Sequence, residues 1–282
     1  KTVEGADIPA IRAYADESAR FGRSWHHASR WLKAEAYEAL PCGPLPKNGK
    51  IPRAKFDVEQ VTTMLQADFL EPLQGEGRAY TNLFPHLDHT KQATRVLGEP
   101  YVNRHLVADV DYPSLSYPSR LENRALVLGM KYVCEFDYST YFNQFWLEEG
   151  ARNFHVVRTV EVEGNVLHRL TRLPMGARFS PSIAQYTTWL VCEPLLSIPG
   201  VAVTTMIDNV RIMARTDDAF LRAVRLFLRR SAEAHMTLNP GGVQSSMTDK
   251  EILAHGLRMF DQGHDFLGER YSRVVTNGVA TD

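Results

Sequence analysis

Only three cysteines occur in 282 residues: Cys42, Cys134 and Cys192. They lie far apart, without CxxC or Cys/His spacing, which argues against a zinc module and against a disulfide framework. So sparse and odd a set fits buried thiols in a reducing, intracellular setting, either cytoplasm or nucleus. No apolar run reaches the roughly 18 residues that cross a membrane, and no signal peptide opens the chain, so no membrane partner is expected. Neither sign of charge dominates: 32 Lys and Arg face 33 Asp and Glu, for a net charge of −1. A surface gripping phosphates everywhere would be basic, so any nucleic-acid partner has to rest on a local basic patch. Internal repeats and low-complexity segments are missing too, which excludes a solenoid. The first residue is Lys1, as in a processed chain or a piece of a longer protein with other domains.

What remains is an ordinary globular composition, 44% hydrophobic and 23% charged, enough for one large domain or two to three subdomains. Residues 6–40 carry Ile11, Tyr14, Phe21, Trp25 and Trp31 near a 3.6-residue period, which predicts helix. A Pro/Gly-rich connector covers 41–52. Residues 56–73 predict a second helix, with Asp57 as N-cap, Gln60 closing a capping box and Pro72 at its end. Strands are expected near 94–98 and 104–110. From 131 onward the order is a strand (KYVCEFDYS), a hairpin turning at Glu163-Gly164-Asn165, a helix from Ser180-Pro181, a strand–turn–strand (VAVTTMIDNVRIMA) and an amphipathic helix opened by Thr216. The fold class is α+β, with an antiparallel split β-α-β sheet and helices on one face.

Two acids stand out. Asp137 ends the strand VCEFD, and Asp208 sits with Asn209 at the tip of the MIDN hairpin. In a split β-α-β sheet these elements are neighbours, so the carboxylates can converge. Two close carboxylates repel and call for a cation, and hard Mg²⁺ with substrate phosphates meets that need. Taken alone, the pair reads as an unrelated strand-end acid and a turn acid.

Between the acids runs LPMGARFSPSIAQ (173–185), with Leu173, Pro174, Gly176, Ser180, Pro181 and Gln185 in one register. This stretch resembles the palm of reverse transcriptases, where a Leu-Pro-x-Gly turn leads into a Ser-Pro helix start and a Gln. The order of acid strand, turn-helix and acid hairpin is similar as well. FLGERY (266–271) looks like the primer-gripping hairpin, LQADFLEPL like the fingers helix and TRVLGEPYVN like the fingers strand, so the resemblance covers roughly 56–272. EPYVN, FDYSTYFNQF, RLTRLPMG and IDNV give it the look of LTR-like or DIRS/VIPER-type tyrosine-recombinase retrotransposons.

The resemblance implies a right-hand polymerase: an N-terminal helical extension over 1–55, fingers over 56–130, a palm over 131–262 with finger elements at about 150–172, and a primer-grip hairpin with the start of a truncated thumb over 263–282. It implies an RNA-directed DNA polymerase that extends a primer on an RNA or DNA template with deoxynucleotides, using two Mg²⁺ (or Mn²⁺) ions. Asp137, Asp208 and Asn209 would be catalytic. The metals would fall to Asp137, Tyr138 and Asp208, and the primer grip to Phe266, Leu267 and Gly268. Substrate would meet Lys91, Arg95, Phe142, Met175, Gly176, Arg178, Gln185 and Lys250. Phe142, five residues after Asp137, matches the steric gate that excludes a 2′-hydroxyl. Viral RNA polymerases place an acid near this spot, whereas here none follows until Glu148. Lys91 reads equally as a solvated loop residue, and Lys250 reads more readily as an exposed helix start. The arginines at 222, 225, 229 and 230 read as a solvated helix face.

Three departures from the family pattern matter. Asn209 replaces a second acid, keeping an oxygen but losing a charge. Met175 stands where retroviral enzymes often carry Gln, and Phe179 where they carry Gly; Phe179 is expected to fill a pocket of the template groove. No ribonuclease H pattern is visible. The alternatives are a catalytically silent module that binds nucleic acid or protein, and an RNA-dependent RNA polymerase.

Overall fold

The computed structural model describes residues 4–45, 51–88, 93–161, 164–272, 274–276 and 279–281. In chain order these form α1 (Ile8–Glu17), α2 (Gly22–Ser29), α3 (Ala34–Glu38), α4 (Val58–Gln66), β1 (Leu70–Pro72), β2 (Thr81–Asp88), β3 (Ala93–Pro100), α5 (Arg120–Val127), β4 (Tyr132–Asp137), α6 (Glu149–Arg152), β5 (Val156–Glu161), β6 (Gly164–Leu170), α7 (Ser180–Cys192), β7 (Val201–Met206), β8 (Asn209–Ala214), α8 (Asp217–Glu233), α9 (Asp249–Asp261), β9 (His264–Phe266), β10 (Glu269–Tyr271), β11 (Val274–Thr276) and β12 (Val279–Thr281). The class is mixed α+β, with small antiparallel sheets. Among the described residues no helix is long and apolar enough to cross a membrane.

The chain divides into two compact units. The first takes residues 1–6, 23–114 and 140–184; the second takes 7–22, 115–139 and 185–282. Residues of the expected helical extension over 1–55 fall in both units. Its α1 belongs to the second unit and its α2 and α3 to the first.

In the first unit β6 pairs with β1 and β5, and β2 with β3, all antiparallel. Val61 of α4 joins Ala54, Phe56, Leu70, Leu83, Val157 and Leu170 in one apolar cluster. The Asp57–Gln60 capping box forms as expected: Asp57 Oδ1 accepts from Gln60 N at 2.8 Å and Gln60 Oε1 from Asp57 N at 3.0 Å. The helix nevertheless ends at Gln66, because Asp68 turns left-handed and 70–72 leave as β1. Trp31 stacks on Phe179 with centroids 5.1 Å apart. Tyr37 donates its hydroxyl proton to the Trp31 carbonyl and contacts His155 Nε2 at 3.0 Å. Burial holds His155 down at about 3, so it stays neutral. Phe179 thus packs in this core; it does not line a groove. The strand expected at 104–110 is absent. Tyr101–His105 is a 3₁₀ turn, and Asp111 Oδ2 then captures the Val107 amide at 2.7 Å.

In the second unit the sheet order is β4-β8-β7. Strand alternation sends Tyr132 and Phe136 to one face, where they meet Phe220 and Phe227 of α8 at 5.1 and 4.6 Å. Thr216 caps α8 as expected, accepting from Ala219 N at 3.3 Å. The opposite face carries Val133, Glu135 and Asp137 beside Met213, Arg211 and Asn209. This face is not bare: Val127, Met130 and Phe260 cover its far end. The β9–β10 hairpin lies over Arg211, so cover is not confined to one face.

Candidate active site

Two paired strands bring the acids together. In the β4–β8 register Asp137 stands opposite Asn209. The Tyr138 amide donates to the Asp208 carbonyl at 3.0 Å, so Asp208 turns directly beside the end of β4. The turn joining β7 to β8 is two residues, Ile207 and Asp208, and Ile207 takes φ +57. A β-branched residue rarely accepts that region. Two buried side chains hold it there: Gln185 Oε1 accepts from Ile207 N at 2.6 Å, and Thr188 Oγ1 donates to Ile207 O at 2.6 Å. Gln185 Nε2 is also engaged, at 2.9 Å from Thr205 Oγ1. Both ends of the Gln185 amide thus serve the hairpin. This corrects the expected substrate contact: Gln185 is buried and positions the turn.

The two acids are each tied by an amide. Asn209 Nδ2 donates to Asp208 Oδ1 at 3.2 Å, and Asn239 Nδ2 donates to Asp137 Oδ2 at 2.6 Å. The Asn239 main-chain amide also donates to Asp137 O at 2.8 Å. Asp137 Oδ1 is buried without a hydrogen-bond partner among the described residues. Asn239 was not singled out in the sequence; the signal available was the turn-forming run Asn239-Pro240-Gly241-Gly242. A cavity of about 250 Å³ adjoins these groups, lined by Asp137, Asn209, Asn239, Glu135, Asp265 and Leu267 among others. The Tyr138 side chain points away from solvent, its hydroxyl 2.8 Å from Ser231 Oγ.

The expected primer-grip residues form the tip of the β9–β10 hairpin. Leu267 (φ +51) and Gly268 (φ +78) make the two-residue turn, the type I′ geometry that suits Gly and strains Leu. Leu267 is exposed, while Phe266 is buried under the Arg211 guanidinium at 4.5 Å. Arg211 itself is fully buried, with Nε donating to Thr204 Oγ1 at 3.0 Å and the Tyr271 ring centroid 4.4 Å from its guanidinium. Burial pushes Glu135 up to about 7, partly countered by Arg211 and reinforced by Asp265. Burial, aided by Arg211, holds His264 down at about 4.

The remaining expected substrate residues lie elsewhere. Phe142, Arg95, Met175, Gly176 and Arg178 belong to the first unit, and Lys91 lies outside the described residues. Phe142 is half-buried in a 3₁₀ turn, between Tyr141 and Phe145, which are core. Gly176 meets a close approach: a Cβ there would stand 1.8 Å from the Gly98 carbonyl oxygen, and its φ is +125. The Met175 carbonyl accepts from Gly98 N at 2.7 Å. Arg178 is exposed but donates to Leu106 O at 2.9 Å, and Arg95 pairs with Asp88 at 2.7 Å. Both cations therefore have partners that a phosphate would have to displace. Lys250 is exposed in the first turn of α9.

Carboxylates and a main-chain carbonyl are hard oxygen donors suited to Mg²⁺ or Mn²⁺. The buried, unpartnered Asp137 Oδ1 fits a cation. Among the described residues no three His, Cys, Asp or Glu side chains gather around one metal position, so water and substrate oxygens would have to complete the coordination. No protein-family model matches this chain, and no curated protein matches it.

Proposed function

We propose that the chain is an RNA-directed DNA polymerase of right-hand type, with Asp137 and Asp208 as its essential acids. The observation that carries this reading is the Asp137–Asn209 register, with Asp208 turned beside it and one Asp137 oxygen left without a partner. In such a reaction a primer 3′-hydroxyl gives up its proton to solvent and attacks the α-phosphorus of a deoxynucleoside triphosphate; the new P–O bond forms as the bond to the leaving pyrophosphate breaks. Asp137, Asp208 and the Tyr138 carbonyl would hold the divalent ions, which would supply positive charge against the negative charge on the phosphate oxygens and the leaving pyrophosphate. Gln185 and Thr188 fix the strained turn that carries Asp208. Asn209 orients Asp208 without adding charge. Leu267 at the hairpin tip would meet the primer end.

Primer extension on an RNA template with Mg²⁺ or Mn²⁺ tests the reading. Asp208→Asn is expected to abolish extension, while Asn209→Asp is expected to keep or raise it, since the resemblance to reverse transcriptases makes only the first acid of the hairpin indispensable. Full activity of Asp208→Asn would overturn the assignment.

A second reading is a catalytically silent module that holds RNA or protein. It is favoured by the two amides, each of which satisfies one carboxylate oxygen without a metal. It predicts nucleic-acid binding with no extension under any metal.

A further inference from the structure

We infer that Asn239 is a positioning residue for the candidate catalytic acid: it clamps Asp137 so that one carboxylate oxygen is held and the other is left for a divalent cation. The inference rests on the polymerase reading and deepens it. Asn239 reaches Asp137 twice. Its side-chain amide donates to Oδ2 at 2.6 Å, and its main-chain amide donates to the Asp137 carbonyl at 2.8 Å. The first bond is short and charge-assisted, so it fixes the carboxylate plane. The second fixes the loop to the end of β4. Ser139 N to Thr237 O, at 2.9 Å, extends that attachment, and Tyr138 bridges Leu238. The amide is thus delivered by a short two-strand connection and not by a free loop.

The consequence lies on the other oxygen. A carboxylate free to rotate would turn both oxygens to water or to any nearby donor. With Oδ2 held, Oδ1 is kept buried and without a hydrogen bond. Leaving such an oxygen buried costs free energy. A cation would repay that cost, and the orientation would already be set before it arrives. Asn239 is exposed, and its main-chain bond survives replacement of the side chain, so loop and strand should stay joined in variants.

Mn²⁺ alone is the probe. Titrations followed by electron paramagnetic resonance would compare the full chain with Asn239→Ala and Asn239→Leu, the latter keeping side-chain volume without a donor. Urea unfolding of each variant serves as the control. The expected result is at least tenfold weaker Mn²⁺ binding in both variants at unchanged stability. Equal Mn²⁺ affinity in wild type and both variants would overturn the clamp while leaving the polymerase reading standing. Weaker binding that tracks lost stability would make Asn239 a folding residue and equally overturn the clamp. Absence of any Mn²⁺ binding in the wild type that Asp137→Ala removes would overturn both.

Discussion

Glu135 and His264 load the second unit with opposite responses to acid. Glu135 is raised to about 7 by burial, so the folded state binds its proton more tightly than the unfolded chain does. Its contribution is therefore favourable at low pH and is lost as pH climbs from the ordinary glutamate value through about 7. His264, lowered to about 4, does the reverse: stability falls as pH drops from its ordinary value through about 4. Glu135→Gln should remove the first response only. Melting temperatures at pH 5 and pH 8 should then show the variant gaining on the wild type at pH 8, with little change at pH 5; a difference independent of pH would mean Glu135 is not the group that titrates. Phe142 carries the other single-residue expectation. If its ring excludes a 2′-hydroxyl, Phe142→Val should raise the ribo- to deoxynucleotide ratio of kcat/KM at least tenfold, which needs only about 1.4 kcal/mol of relieved clash. Single-nucleotide extension reads the ratio, and an unchanged value would make Phe142 a packing residue of its 3₁₀ turn and reopen the RNA-polymerase reading.

Helices and strands were readable where local chemistry decides them. The Asp57–Gln60 box, the Thr216 cap and the VAVTTM and NVRIMA strands all follow from residue types a few positions apart. Elements went astray where a single side chain intervenes. Apolar 104–110 looks strand-like, but Asp111 takes a main-chain amide and Asp109 turns left-handed at φ +64. The 6–40 helix is broken because Ser18 Oγ accepts the Phe21 amide at 2.9 Å. Gln185 and Asn239 show the same limit at the site: the motif marks Gln185 without revealing that its amide holds the Ile207 turn, and Asn239 has meaning only through a bond made 102 residues away. The strand β1 was hidden inside an apparent helix, and its Glu71 is the clearest example of tertiary override. Glu71 accepts from Arg169 Nε at 2.6 Å and pairs with Arg152 at 3.0 Å, and the Arg169 side chain is only 2% exposed. Glu71→Ala would leave a buried guanidinium short of its main partner. A loss of about 3 kcal/mol in urea unfolding is expected, since breaking a buried pair from one side costs far more than an exposed pair contributes. A loss below about 1 kcal/mol would mean that Glu149, 3.5 Å from Arg169, and Asn153, whose Oδ1 accepts from Arg169 Nη1 at 2.7 Å, suffice for it.

Chain threading sets the last expectation. The polypeptide passes between the two units at 6/7, 22/23, 114/115, 139/140 and 184/185, so neither unit is a contiguous stretch of sequence. The fingers expected from residue 56 onward imply a boundary near residue 55, but the buried side chains disagree. Trp25, Trp31 and Tyr37 are almost fully buried in the first unit, with Trp31 stacked on Phe179 and Tyr37 bonded to His155. Ile11 is fully buried in the second unit, where the Tyr14 ring lies 3.7 Å from the Arg230 guanidinium and its hydroxyl donates to Glu233 at 2.9 Å. Removing one large buried aromatic costs about 3–5 kcal/mol, and a whole domain has only about 5–15 kcal/mol to lose. Deleting 1–55 removes three such aromatics from one unit and an apolar anchor from the other. The fragment 56–282 should therefore show no cooperative urea transition and no dispersed amide spectrum, whereas the full chain shows both. A sharp transition in the fragment would mean that the first 55 residues are an appendage, and that residues 56–282 fold without them.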